Sequence, residues 1–162
     1  MFDLHLFQTE RGKERVDVYY SEMTSTVNQI AAIVRNEKPV LYGIEEDEKV
    51  LLEPSEIYYF DTVDRRTYAY TKEKVYQAVG SLSALEEELK AFGFIRISKS
   101  CLINIYMIRR IKPEANMRIT AVLKNDEKLQ INRGYKRSFE DYLKQVRKSI
   151  KEGAANEIIK RN

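Results

Sequence analysis

A chain of 162 residues with 43% hydrophobic side chains is long enough for one domain with a core, or for a domain and a short appendage. No apolar run nears the roughly 18 residues of a membrane span, the start Met1-Phe2-Asp3-Leu4-His5 lacks a signal peptide's basic region and apolar core, and the single cysteine, Cys101, excludes an internal disulfide, so a cytoplasmic location is expected. The net charge of +3 hides an asymmetry, because residues 1–94 hold 11 Lys and Arg against 18 Asp and Glu whereas residues 95–162 hold 17 against 7; such a basic half suits a polyanion through counterion release, and equally an acidic face of the same chain.

In chain order, residues 4–9 and 15–21 alternate as strands do, with Gly12 in the turn between them. Val27, Ile30, Ile33 and Val34 then recur at helical spacing after Thr24 and Ser25, which predicts a helix from Ser25 to about Asn36, ended by the approach to Pro39. A strand-like PVLYGI over 39–44 leads into the acidic turn 45–48. Four short strands are expected over 50–54, 57–62, 67–71 and 74–79, with the charged turn 63–66 between the second and third. Ser81 caps a helix whose stripe is Leu82, Leu85 and Leu89; its glutamates 86–88 are read as a solvated face. After Gly93 come strand candidates over 94–98, 101–105, 107–111, 117–123 and 128–132, the last two joined by Asn125-Asp126-Glu127. Tyr135, Phe139, Leu143, Val146 and Ile150 predict a final helix, and residues 151–162 a flexible tail.

Catalytic chemistry finds no home in this pattern. His5 is the one histidine and falls on a predicted strand; no His/Cys cluster has metal-ligand spacing, and no glycine-rich phosphate loop is present among six glycines. An enzyme is therefore not expected, nor a cofactor or small-molecule substrate. Cys101, beside Leu102 and Ile103, is read as a buried, inert thiol.

From Ile57 onward the order of features is specific: IYYFDT, a charged loop, TYAYT, SLSALEEEL, FIRISKSCLINIYMIRRI, a hairpin, then LQINRGYKRSFEDYL. Over about residues 40–148 this resembles the LytTR family of bacterial DNA-binding domains. Phe94, Arg96, Lys99, Ser100, Ile103 and Asn104 match the family's F-x-R-x-H-[RK]-S-x-x-[IV]-N core, and Ile131, Arg133 and Tyr135 match its closing strand and helix start. Ser98 stands where the family usually has His, Asn132 where it has Ser, and Cys101 where an aromatic is common.

The resemblance implies a mainly β fold with peripheral helices, an elongated arrangement of small sheets over 38–150 preceded by a β-β-α leader at 1–37. It implies a sequence-specific duplex-DNA-binding transcription regulator that inserts loops into DNA grooves. Three DNA-facing positions follow: the 63–67 loop with Arg65, Arg66 and Thr67; Lys99 with Ser100; and Arg133. An arginine at a rigid strand tip can bond guanine O6 and N7 together, so Arg133 and either Arg65 or Arg66 are candidates for base reading. Lys99, a flexible point charge, suits phosphate, and Lys136 and Arg137 begin a helix whose first amides also favour anions. Taken singly, each of these cations reads as an ordinary solvated charge, as does the Arg109-Arg110-Lys112 cluster; Asn104 is read as structural.

Among the partners, double-stranded DNA comes first, bound by a homodimer. The family's receiver-linked members carry a doubly wound phosphoacceptor domain, which the 37 leader residues are too few to form, so no phosphorylation switch of that type is expected. The family also has short, stand-alone members, some paired with a membrane protein that restrains them. The leader is read as a dimerisation or partner-docking unit, with packing against the domain as an equal alternative. The competing function is a protein-interaction module whose basic half binds an acidic partner. RNA binding through the 11 tyrosines is weaker, because most of them fall within strand patterns.

Overall fold

The computed structural model describes residues 16–35 and 39–146. The chain divides at Lys38/Pro39 into two units. In the first, α1 spans Ser25–Val34, where the Thr24 side chain caps the Val27 amide at 3.3 Å. Val27 is buried, while Ile33 and Val34 are exposed. The strand expected over 15–21 does not form at residues 16–20, which pair with no other strand among the described residues. An extended segment satisfies its amides as a strand only beside a partner. The strand and tail expected over 4–9 and 151–162 lie outside the described residues.

The second unit is β-rich, with ten strands among the described residues. They are β1 (Leu41–Glu45), β2 (Glu48–Leu52), β3 (Ile57–Val63), β4 (Arg66–Thr71), β5 (Val75–Ala78), β6 (Phe94–Arg96), β7 (Cys101–Asn104), β8 (Ile108–Pro113), β9 (Ile119–Leu123) and β10 (Lys128–Ile131). Seven form an antiparallel sheet in the order β2-β1-β5-β4-β3-β7-β6, and three form a second sheet in the order β10-β9-β8. Helix α2 (Leu82–Leu89) is capped by Ser81, whose hydroxyl accepts from the Ala84 amide. Helix α3 runs from residue 136 to the last described residue, 146, after a single tight turn at Arg133–Tyr135.

Two cores hold this unit together. The leucine stripe of α2 (Leu82, Leu85, Leu89) packs with Phe60, Ala69, Ala78, Phe94 and Leu102 from one face of the large sheet. The opposite face contributes Ile103 and Cys101 to a second core, where they meet Ile119, Ala121 and Leu123 of β9, Ile131 of β10 and Phe139 of α3. Period-2 alternation thus delivers Leu102 to one core and its neighbours to the other. β3 departs from strict alternation. A register shift between Ile57 and Tyr59 lets Tyr58 and Tyr59 both join the second core while Ile57 and Phe60 serve the first. Cys101 is 8% exposed, the buried thiol expected of it.

Candidate nucleic-acid interface

The β3–β4 hairpin turns on two residues, Asp64 and Arg65, with φ of 48° and 64°. Two successive left-handed residues give the tight turn that matches strand twist, and they place Arg65 at the hairpin tip. The 98–100 loop between β6 and β7 sits beside this tip. It is held there by the Thr62 amide, which donates to the Ser100 carbonyl at 2.8 Å. Within the loop the Ser100 amide donates to Ser98 Oγ at 3.2 Å. Ser98, standing where the resemblance calls for His, therefore braces the loop backbone.

Together with the start of α2, the hairpin end and the loop line one open concavity, whose wall includes Arg65, Thr67, Ser81, Arg96, Lys99 and Ser100. Residues distant in sequence meet here because β3 pairs with both β4 and β7. Arg65 and Lys99 are exposed and, among the described residues, form no ion pair. Thr67 is only 6% exposed, its hydroxyl 3.4 Å from that of Thr62, so it shapes the wall rather than reaching outward. Arg66 is exposed but does not line the concavity; it opens β4 with its side chain on the other face from Thr67. The choice between Arg65 and Arg66, open in the sequence, is thus geometric: Arg65 faces the space that Lys99 faces.

Arg133, Lys136 and Arg137 stand outside this concavity, at the junction of β10 and α3. The junction is nonetheless tied to the 98–100 loop region, because the Asn132 amide donates to the Ile97 carbonyl at 2.9 Å. Arg133 and Arg137 are exposed; Lys136 is half-buried, with Glu140 4.0 Å away on the next turn. Arg109 and Arg110 lie exposed on the edge strand β8, and Arg109 pairs with Asp126.

Asn104 is structural. It is 2% exposed, donates to the Ile57 carbonyl at 2.9 Å and accepts from the Tyr106 amide at 3.0 Å. One reading is overturned: Glu86 is not simply a solvated glutamate, since it is half-buried against Arg96 at 2.8 Å. Sequence reasoning missed the Glu86–Arg96 pair and Ser83, although the F-x-R spacing had already singled out Arg96. The signal was incomplete because a pair ten residues apart across a helix and a strand has no local periodicity.

Comparison with known proteins finds a matching family profile, similar sequences and a similar fold. Residues 47–144 match the family profile described as the LytTr DNA-binding domain. The chain is 26% identical over 137 residues to the sensory transduction protein LytT of Enterococcus faecalis, covering 85% of this chain and 57% of that protein. It is 27% identical over 146 residues to an uncharacterized HTH-type transcriptional regulator of Staphylococcus aureus, covering 88% of this chain and 99% of the relative. Its fold is similar to a LytTr DNA-binding domain structure from Bacillus cereus, with a TM-score of 0.62, 24% identity, and coverage of 65% of this chain and 97% of that one.

Proposed function

The chain belongs to the LytTr DNA-binding domain family, and on that premise we propose that it is a transcription regulator that reads duplex DNA with loops rather than with a recognition helix. The observation that carries this reading is the convergence of Arg65 and Lys99, from separate loops, on one open concavity with no ion pair to either among the described residues. Solvated cations fixed on rigid hairpins suit a polyanion, because the loop backbone is ordered before binding and little conformational entropy is lost. In this reading Arg65 and Arg133 contact base edges, with Arg66 beside the same hairpin on the backbone. Lys99, Lys136 and Arg137 neutralise phosphates, and the hydroxyls of Thr67 and Ser100 shape and brace the concavity wall.

The protein acts in the cytoplasm as a pair of copies on its DNA. Among the described residues no helix is long and apolar enough to cross a membrane.

Selection of bound sequences from a random duplex pool at about 0.15 M salt tests the proposal. The expected product is two similar half-sites about one helical turn apart. Recovery of no preferred sequence, with no retention on duplex DNA at that salt, would overturn it in favour of an acidic protein partner for the basic half.

A further inference from the structure

We propose that Arg96 is a positioning residue for DNA binding: with Glu86 aiming it, its guanidinium clamps the backbone of the Lys99 loop onto α2. The inference deepens the DNA-binding reading and rests on it.

Arg96 ends β6, an edge strand, and lines the same concavity as Arg65 and Lys99. Unlike them it is already engaged. Its Nε donates to Glu86 Oε2 at 2.9 Å, its Nη2 to Ser83 Oγ at 3.2 Å, and its Nη1 to the Lys99 carbonyl at 2.9 Å. The planar fork of arginine can hold a carboxylate, a hydroxyl and a carbonyl at once, which a lysine ammonium on a flexible stem cannot reproduce. With 15% of the Arg96 side chain exposed and 34% of Glu86, the pair is better shielded than an ordinary surface ion pair.

The charge of Glu86 is the informative detail. A carboxylate bound to a residue that lines a site for a polyanion repels the ligand, so on electrostatics alone its removal favours binding. Its contacts give the opposite expectation, because Glu86 and Ser83 anchor the guanidinium whose other end holds the Lys99 carbonyl. The loop is short; its other ties among the described residues include the Ser98–Ser100 and Thr62–Ser100 hydrogen bonds, with the Ile97 amide donating to the Cys101 carbonyl where the loop closes. Freeing the Lys99 carbonyl loosens the residue that bears the loop's cation.

Fluorescence-anisotropy titration of the full chain with its selected duplex decides between these expectations, using Glu86→Gln, Arg96→Lys, Lys99→Ala and the Arg96→Lys/Lys99→Ala double variant, with thermal unfolding of each. Glu86→Gln is expected to weaken binding about tenfold despite losing a negative charge. Arg96→Lys, which keeps its charge, weakens binding as well. In the Lys99→Ala background, Arg96→Lys changes affinity by less than about twofold, since the two residues act as a unit. Tighter binding by Glu86→Gln, or effects of Arg96→Lys and Lys99→Ala that multiply, would make Arg96 a direct phosphate ligand and sink the positioning role. Glu86→Gln sits at a partly exposed helix position and carries the test if Arg96→Lys does not fold. A wild-type protein that binds no duplex overturns the DNA-binding reading and this inference together; wild-type binding with a tighter Glu86→Gln overturns the positioning role only.

Discussion

Arg133 and Lys99 are both exposed cations, yet they predict different losses. A guanidinium that bonds two acceptors of one base discriminates among sequences, so Arg133→Ala is expected to lower the preference for the selected site by about 1–3 kcal/mol. Competition between the selected duplex and a scrambled one measures it, and undiminished preference would remove Arg133 from the base-reading set. A lysine on phosphate carries no sequence information. Lys99→Ala should weaken selected and scrambled duplexes by the same factor and reduce the slope of log affinity against log salt by about 1. Cys101 makes a separate prediction about stability. Burial pushes its thiol up to about 12 from an ordinary 9.0, with Asp61 adding to the rise and Arg96 opposing it. Burial also raises Tyr59, Tyr70 and Tyr142. In each case the folded state keeps a proton that the unfolded chain has already released. Their stabilisation is therefore complete below the unfolded values and is lost as pH rises toward the folded ones. The urea midpoint is expected to fall above about pH 9, less steeply in Cys101→Ala; identical slopes in the two proteins would mean that the thiol contributes nothing.

At the scale of elements, the junctions around β6 and β7 hold the most concentrated constraints. Gly93, between the turn after α2 and β6, has φ of 93°, and a Cβ there would lie 2.4 Å from the Tyr106 ring. Gly93→Ala combines left-handed strain with a clash, so a loss of about 2 kcal/mol or more is expected from denaturant unfolding. Asn104, at the end of β7, satisfies the Ile57 carbonyl and the Tyr106 amide in a site with almost no solvent. Asn104→Ala leaves both groups short of a partner and is expected to lose about 2–4 kcal/mol without altering the DNA sequence preferred. A shifted preference in that variant, measured on protein that is still folded, would give Asn104 a part in recognition. The stacked rings of Tyr59 and Tyr70, 4.3 Å apart, show why the tyrosine-rich strands are better read as cross-strand packing than as platforms for bases.

At the scale of the whole molecule, the leader and the β-rich unit pose separate questions. Val16, Tyr19, Tyr20, Met23, Ile33 and Val34 in the leader are exposed in the single chain, which is costly in water for so short a segment. If the leader pairs two copies, deletion of residues 1–37 is expected to leave a folded domain of halved mass in solution that binds a single half-site with much reduced affinity. An unchanged dimer mass would place the pairing within the β-rich unit.

How much of this was legible in the sequence follows from the range of each interaction. Alternation in β4, the leucine stripe of α2 and the cap at Ser81 are local patterns, and each strand from β1 to β10 falls within a few residues of where periodicity placed it. The fixed spacing of Phe94, Arg96, Lys99, Ser100 and Asn104 was enough to point to the family and to the loop proposed to face DNA. The sequence by itself therefore determined the β-rich class, the order of its elements and the candidate cations. It left open which of Arg65 and Arg66 belongs to the concavity, that Thr67 is buried within its wall, and that Glu86 is bound to Arg96. Those points needed the tertiary structure, because each depends on β3 lying between β4 and β7 and on α2 packing over the sheet. Side-chain periodicity records which face a residue takes on its own element, whereas the partner it meets there is set by pairings across tens of residues that no local pattern encodes.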